Sequence, residues 1–390
     1  MKKCISFLLI FVILFSLTGC ATDPAPATKP TGTVPLNESV PRPAMAAVSV
    51  NAITETISAD DGTVICQYTH QSMSLTLQDP DVADKVIVDF LRRFDSTQDA
   101  AQSLMADAKA AYSPNEEYWA PYLCSMLYDP VRIDPGVLSL YGTVVSHSGG
   151  AHPDQAGISA NYDLLTGDVL TLASIMTPDA TSDDFCRLTL DALAEVADEL
   201  YLYDDYEDTV RKRFTQDPST DEQWFFTNEG ICFYFSPYEI AAYVSGIITA
   251  EIPYSKLTGI ILDEYFPAEQ APGLGTITAL DLQSTDLTRF DQITELIVDE
   301  GEQMVLLYTE GMVHDVRIEE VKWNEAGDEF ILTHTAFATD CLAAGDAVMV
   351  EAHISDTLPN LRLTYRSGDR DISVYISKNQ TDGSVVLLGL

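Results

Sequence analysis

"WFFTNEGICFYFSPYEI", residues 224–240, sets the class of fold. Two runs rich in aromatic and β-favouring side chains, 224–226 and 231–235, flank Asn-Glu-Gly at 228–230, so the stretch reads as strand, turn, strand. "GIITAEIPYSKL", residues 246–257, closes the unit. Upstream, "TSDDF" opens a helix that Ser182 or Asp183 can cap, with Phe185, Leu188, Ala192, Val196 and Leu200 as its buried stripe. A helix beside hairpin-linked strands is an α+β arrangement.

Reading outward, "ISANYDLLTGDVLTL", residues 158–172, gives two strand-like runs joined by a turn at "LTGD". Further upstream, "VICQYT" and "MSLTL" alternate apolar and polar side chains as half-buried strands do. "DPDVADKVIVDFLRRF" then spaces Val82, Val86 and Phe90 one turn apart, with Ile87, Leu91 and Phe94 alongside, which predicts an amphipathic helix. A second helix is expected over 97–112, followed by strands at "PYLCSMLY" and "VLSLYGTVVS". Downstream, the Pro- and Gly-rich break "FPAEQAPGLG", 266–275, precedes seven short alternating runs at regular spacing. The expected architecture is therefore α+β, an antiparallel sheet with packed helices over about 48–268, followed by a β-rich, sandwich-like or barrel-like domain over 275–390.

The amino terminus predicts location. Lys2 and Lys3 precede the apolar run "CISFLLIFVILFSL", and "LTGC" ends at Cys20. This is the pattern of a bacterial lipoprotein signal: residues 1–19 are expected to be removed and Cys20 lipidated, which anchors the chain to the outer face of the cytoplasmic membrane. Residues 20–46, rich in Pro, Ala and Thr, read as a disordered tether. Removing 1–19 takes away two lysines and no acid, leaving 19 basic against 60 acidic residues. Such a chain repels nucleic-acid phosphates, so nucleic-acid binding is excluded, whereas basic proteins are attracted. Of the 7 cysteines, Cys66, Cys124, Cys186, Cys232 and Cys341 follow Cys20, widely spaced and in apolar surroundings, as buried thiols are.

"SHSGGAHPDQ", residues 146–155, is the stretch closest to a chemical motif. His147 and His152 are five residues apart, which is not the four-residue spacing of a zinc-protease helix. With Asp154 they define the competing expectation of a metal-dependent wall enzyme. No G-x-S-x-G elbow, phosphate loop or Cys-x-x-Cys occurs, and with 60 acids any chosen carboxylate pair is uninformative. No cofactor pattern is read and no catalytic residue is assigned. Gly149 and Gly150 fit a tight bend.

These segments, in this order, carry a family resemblance. "SGGAHP", "NYDLLTGDVLTLASIM", "WFFTNEGICFYFSPYEIAAYVSG" and "IPYSKL" resemble the extracytoplasmic domain of RsiV-type anti-sigma factors, and the segment from about 48 to 95 is similar to the companion domain that precedes the catalytic domain in PdaC-type deacetylases. The resemblance implies a companion-like subdomain over 47–134 and an RsiV-like domain over 135–268. It carries the family's motifs onto Gly149, Gly150, Ala151 and His152; onto Asn161, Tyr162, Asp163, Thr166 and Gly167; and onto Trp224, Phe233, Tyr234, Phe235, Pro237, Tyr238 and Glu239. Ala242 departs from the family's proline, which puts the local turn in doubt. Neither a sigma-binding segment nor a deacetylase histidine pair is present, so the resemblance implies an outer binding unit, in RsiV a receptor for lysozyme. The expectation is a non-enzymatic, lipid-anchored binding module of a Gram-positive cell surface for a basic protein such as lysozyme, or a cell-wall component. The residues expected at its surface are His147, Gly149, Gly150, His152, Tyr162, Trp224, Tyr238 and Glu239. A third expectation is an adaptor that holds another envelope protein through the C-terminal domain.

Overall fold

The computed structural model describes residues 46–114, 119–216, 223–267, 273–282, 285–298, 303–355, 357–381 and 383–389. The leader, Cys20 and nearly all of the tether lie outside the described residues, as does the middle of the 266–275 break. No helix among the described residues is long and apolar enough to cross a membrane.

The chain opens with the hairpin β1 (Ala47–Ser58) and β2 (Val64–Thr76), followed by one helix, α1 (Pro80–Ala111). The two helices expected here are a single one of 32 residues. Pro80 starts it and the Asp79 carboxylate accepts from the Asp81 N–H. Its buried stripe runs through Ala83, Val86, Phe90, Phe94 and Ala101, while Leu91 faces out. Strands β3 (Tyr122–Ile133), β4 (Val137–His147) and β5 (Asp154–Asp163) form a meander. Then come α2 (Leu172–Ile175), α3 (Ser182–Leu200), α4 (Tyr206–Gln216), β6 (Trp224–Phe226), β7 (Gly230–Phe235), β8 (Ile248–Pro253) and α5 (Tyr254–Leu257). Thr181, one residue before the expected caps, occupies the N-cap of α3, and its N–H donates to Asp184. The remainder is β9 (Ile277–Asp281), β10 (Gln292–Ile297), β11 (Gln303–Thr309), β12 (Val313–Asn324), β13 (Glu329–Leu342), β14 (Asp346–Ala352), β15 (Leu361–Ser367), β16 (Arg370–Lys378) and β17 (Val385–Leu388).

Among the described residues these strands form sheets of ten, four and three strands, so the fold is α+β. The three-stranded sheet β6-β7-β8 packs with α3 and α4 around Trp224, Phe185 and Phe233. The C-terminal strands form a sandwich and not a closed barrel: Ile318, Phe337 and Leu363 of the large sheet share a core with Leu296, Val305 and Val348 of the sheet β10-β14-β11-β9. The three regions expected as separate domains are not separated in the large sheet, whose order is β17-β16-β15-β12-β13-β1-β2-β3-β4-β5. Ala47–Ser49 pair with β13 while the same residues pair with β2, so the first strand of the chain is hydrogen bonded to the last region on one edge and to the first on the other.

Two features hold the sheet where strand pairing fails. β2 and β3 are parallel partners only from Cys66–Thr69 against Tyr122–Ser125. Beyond that the buried Gln71 side chain stands in for a peptide group: its Nε2 donates to Tyr128 O at 2.9 Å and its Oε1 accepts from Tyr128 N at 2.6 Å. On β3, the register slips between Pro130 and Arg132. Arg317 of β12 donates through Nη1 to Pro130 O at 2.5 Å and through Nη2 to Val131 O at 2.6 Å. His334 of β13 bonds Asp129 Oδ1 at 2.6 Å through Nδ1 and Val50 O at 2.8 Å through Nε2. Burial works against the imidazolium, and the Asp129 carboxylate outweighs it, holding His334 above the ordinary histidine range.

Two outcomes follow from this frame. Gln71→Leu removes two buried hydrogen bonds and is expected to cost about 2–4 kcal/mol, read from urea unfolding; a loss within ~0.5 kcal/mol would show that the strands hold together without the amide. The second concerns Asp340 of β13, whose Oδ1 is buried without a hydrogen-bond partner among the described residues and whose carboxyl is pushed by burial to about 7 from 3.8. The unfolded chain releases this proton at lower pH than the folded one. Its contribution therefore favours the fold below pH 3.8 and is lost as pH rises through 7. Asp340→Asn should unfold with its parent near pH 4 and a few degrees above it at pH 8; a gap independent of pH would overturn this reading.

Candidate binding surface

The β4–β5 loop turns at Gly149, whose φ of +85° favours glycine. Gly150 is exposed and has no left-handed backbone, so only the first glycine of the pair is demanded by conformation. The loop delivers His152 to the segment after β7. There the His152 ring stacks on Tyr243 with centroids 3.9 Å apart and planes at 25°. Its Nδ1 lies 3.1 Å from Pro153 O, which also accepts the Tyr243 hydroxyl at 2.6 Å, and its Nε2 lies 3.5 Å from the Tyr238 hydroxyl. His152 and Tyr238, 86 residues apart, are thus brought together, and Tyr243 between them was not singled out in the sequence.

Tyr238 sits on a locked turn. Ser236 O accepts from Glu239 N and Ala241 O from Tyr238 N. Glu239 accepts from the Ser236 N–H and pairs with Arg213 at 3.5 Å, and Arg213 also donates to Tyr234 O and lies over the Phe235 ring. Glu239 therefore positions the turn. Tyr238 itself has a φ of 72° and is 59% exposed. The adjoining loop after α3 behaves alike: Tyr201 has a φ of 52° and is 81% exposed. The two loops are zipped by the Leu202–Ala241 bridge, by Tyr203 N donating to Ile240 O, and by Ser245 Oγ donating to Leu200 O. Val244, 91% exposed, projects from the same segment, and exposed Asp204, Asp205, Glu207 and Asp208 follow Tyr203. Ala242 has a φ of −67°, an angle that proline also takes.

Two of the expected surface residues are core residues. Trp224 is fully buried in the cluster of α3 and the three-stranded sheet because its large apolar ring packs edge-on against Phe226. Tyr162 is fully buried and its hydroxyl is held by Asp89 and Arg93 of α1. Burial raises its pKa well above the ordinary range. The neighbouring motif residues are structural too. Asn161 accepts from the Ser139 hydroxyl and donates to Trp224 O, while Ser139 in turn accepts from Phe226 N, stitching β4 and β5 to β6. Asp163 closes the turn by accepting from Leu165 N and Thr166 N. His147 ends β4, half-buried, with its Nδ1 lacking a hydrogen-bond partner among the described residues. Among those residues no three His, Cys, Asp or Glu side chains are grouped to hold a metal ion. The five cysteines after Cys20 are buried free thiols, and burial pushes Cys232 up to about 12.

Residues 179–255, which span α3, α4 and β6 to β8, match the family described as "Protein of unknown function (DUF3298)". The chain is similar to the crystal structure of a DUF3298 family protein from Pseudomonas aeruginosa PAO1, at 17% identity, with 57% of this chain and 97% of that chain covered and a TM-score of 0.42. It is likewise similar to a DUF3298 family member from Bacteroides fragilis NCTC 9343, at 16% identity, with 56% and 94% covered and a TM-score of 0.42. No curated protein matches the chain.

A left-handed backbone costs a non-glycine residue about 1 kcal/mol, so Tyr201 and Tyr238 are not placed where stability would put a tyrosine. Tyr201→Gly and Tyr238→Gly are expected to match or exceed the parent in thermal unfolding. A fall of more than ~1 kcal/mol would assign these side chains to the fold instead of to contact.

Proposed function

We propose that this protein is a non-catalytic binding module, lipidated at Cys20 and tethered to the outer face of a Gram-positive cytoplasmic membrane, that captures a basic protein partner. The observation that carries the reading is the pair of exposed tyrosines on two zipped loops, Tyr201 and Tyr238, with exposed His152 and Val244 and half-buried Tyr243 on the neighbouring segments and the acidic run at 204–208 beside them. Exposed tyrosines anchor interfaces through large area at low entropic cost, and arginine or lysine side chains of a partner can stack on them. The acidic flank and the overall charge of −39 steer basic partners to that face. The resemblance to the RsiV-type receptor domain makes a lysozyme-like muramidase the first partner to try.

The test is binding of residues 44–390, which form one compact unit, to a panel of lysozymes at low and physiological salt, beside an unrelated protein of equal basicity. Saturable binding that survives physiological salt, spares the control and weakens at least tenfold in a His152→Ala, Tyr238→Ala double variant of unchanged thermal stability is expected. Binding that the control shares, or that salt abolishes, would reduce the attraction to net charge and end the receptor reading.

A further inference from the structure

A second opening lies on the far side of β4 from these loops in sequence, where β12 and β13 fold against the outer part of β3 and β4. It is a cleft of about 470 Å³, a volume suited to a small ligand. Leu127, Val131, Tyr141 and Leu332 give it apolar walls, and Thr143 and Thr333 lie among them.

Asp129, Glu319, His334 and Arg317 all line this cleft, and of these four ionisable groups Arg317 alone has no oppositely charged partner among the described residues. Its guanidinium donates to the Pro130 and Val131 carbonyls, which engages two of its five N–H groups. No carboxylate among the described residues lies within ion-pair distance of it, although the chain holds 60 acidic residues against 21 basic. The acids that face it are already committed. Glu319 Oε2 accepts from Arg362 Nε at 2.6 Å, Asp315 pairs with Arg366 at 2.7 Å, and Asp129 Oδ1 serves both His334 and the Thr335 N–H at 2.7 Å. Glu229, the other acid whose field reaches Arg317, is exposed on the β6–β7 turn. A guanidinium withdrawn from water with unused donors favours a carboxylate, which it can hold with two parallel hydrogen bonds.

We propose that the cleft between β3–β4 and β12–β13 is a binding site for a carboxylate carried on a short apolar body, with Arg317 as the anion anchor. The inference is independent of the aromatic surface and of its partner. Arg317 takes the carboxylate through the donors that face away from the β3 carbonyls, and the apolar walls receive the body. A peptide C-terminus and a free branched organic acid share this chemistry.

Calorimetric titration of residues 44–390 with N-acetyl-alanyl-alanine, with its C-terminal amide, and with isovalerate separates the outcomes. At least one of the two acids is expected to bind saturably. If the dipeptide binds, the amide should bind at least tenfold more weakly; binding of the dipeptide alone assigns the site to peptide ends, and of isovalerate alone to free acids. Arg317→Met should abolish the binding. Because that variant also loses two hydrogen bonds to β3 and can fail to fold, Leu332→Trp, at a half-exposed position on the cleft wall, supplies the second arm: it should block binding with thermal unfolding unchanged. If neither acid binds up to ~10 mM, if the amide matches its acid, or if folded Arg317→Met binds like the parent, Arg317 only staples the β3 bulge and the site does not exist.

Discussion

The slip of register at Pro130 on β3 is the joint on which the molecule turns. Proline has no N–H to give to a ladder and so favours such a bulge. Asp129, Pro130, Val131, Arg132 and Asp134 between them serve four parts of the fold. Asp129 takes His334 and the Thr335 N–H from β13. The carbonyls of Pro130 and Val131, turned out of the ladder, take Arg317 from β12. Arg132 points the other way into the three-stranded layer, where it is buried, paired with Asp134, bonded to the Tyr254 hydroxyl and Tyr265 O, and set over the Phe226 ring. Asp134 then accepts from Gly136 N and Val137 N to start β4. Breaking a buried pair of this kind by removing one partner is strongly destabilising, so the C-terminal strands and the aromatic layer depend on the same short segment.

This joint explains which parts of the fold were legible in the sequence. Periodicity reports what a residue's near neighbours do. The α3 stripe through Phe185 and Leu188 and the hairpin of Trp224 to Phe235 were therefore readable. The pairing of residues 47–49 with 337–339 has no local signature, and neither has the stapling of β3 by Arg317, so the regions looked like separable domains. The second helix expected from 97 is the continuation of α1, in which Thr97 is buried and its hydroxyl meets Met126 Sδ.

The motif residues behind the resemblance turned out to be of two kinds. Asn161, Tyr162, Asp163 and Trp224 each close a turn, tie one element to another or fill the core. Gly157 has the same character, since a Cβ there would lie 2.5 Å from the Tyr234 ring that covers it. His152 and Tyr238 belong to the second kind, being exposed and brought together across two loops. Their neighbour Tyr243 and the exposed Tyr201 carried no signal, because an aromatic side chain in a loop has no periodicity to betray it and only its contacts or its backbone conformation mark it out.

The way Tyr238 is held bears on how this surface would bind. A side chain on a slack loop loses conformational freedom when it meets a partner, and that loss is subtracted from affinity. Here the turn is fixed from beneath by Glu239, by the Ser236 N–H it accepts, and by Arg213 wedged between the Tyr234 carbonyl and the Phe235 ring. The cost of ordering the loop is met during folding, by contacts in the core of the aromatic layer, and not at the moment of association. The left-handed backbone at Tyr238 is tolerated for the same reason: the surrounding hydrogen bonds over-determine it. A rigid turn that presents a tyrosine against its own backbone preference, next to a second loop that does likewise, has the physical form of a preorganised contact surface, and the same rigidity makes its specificity sensitive to the one ion pair beneath it.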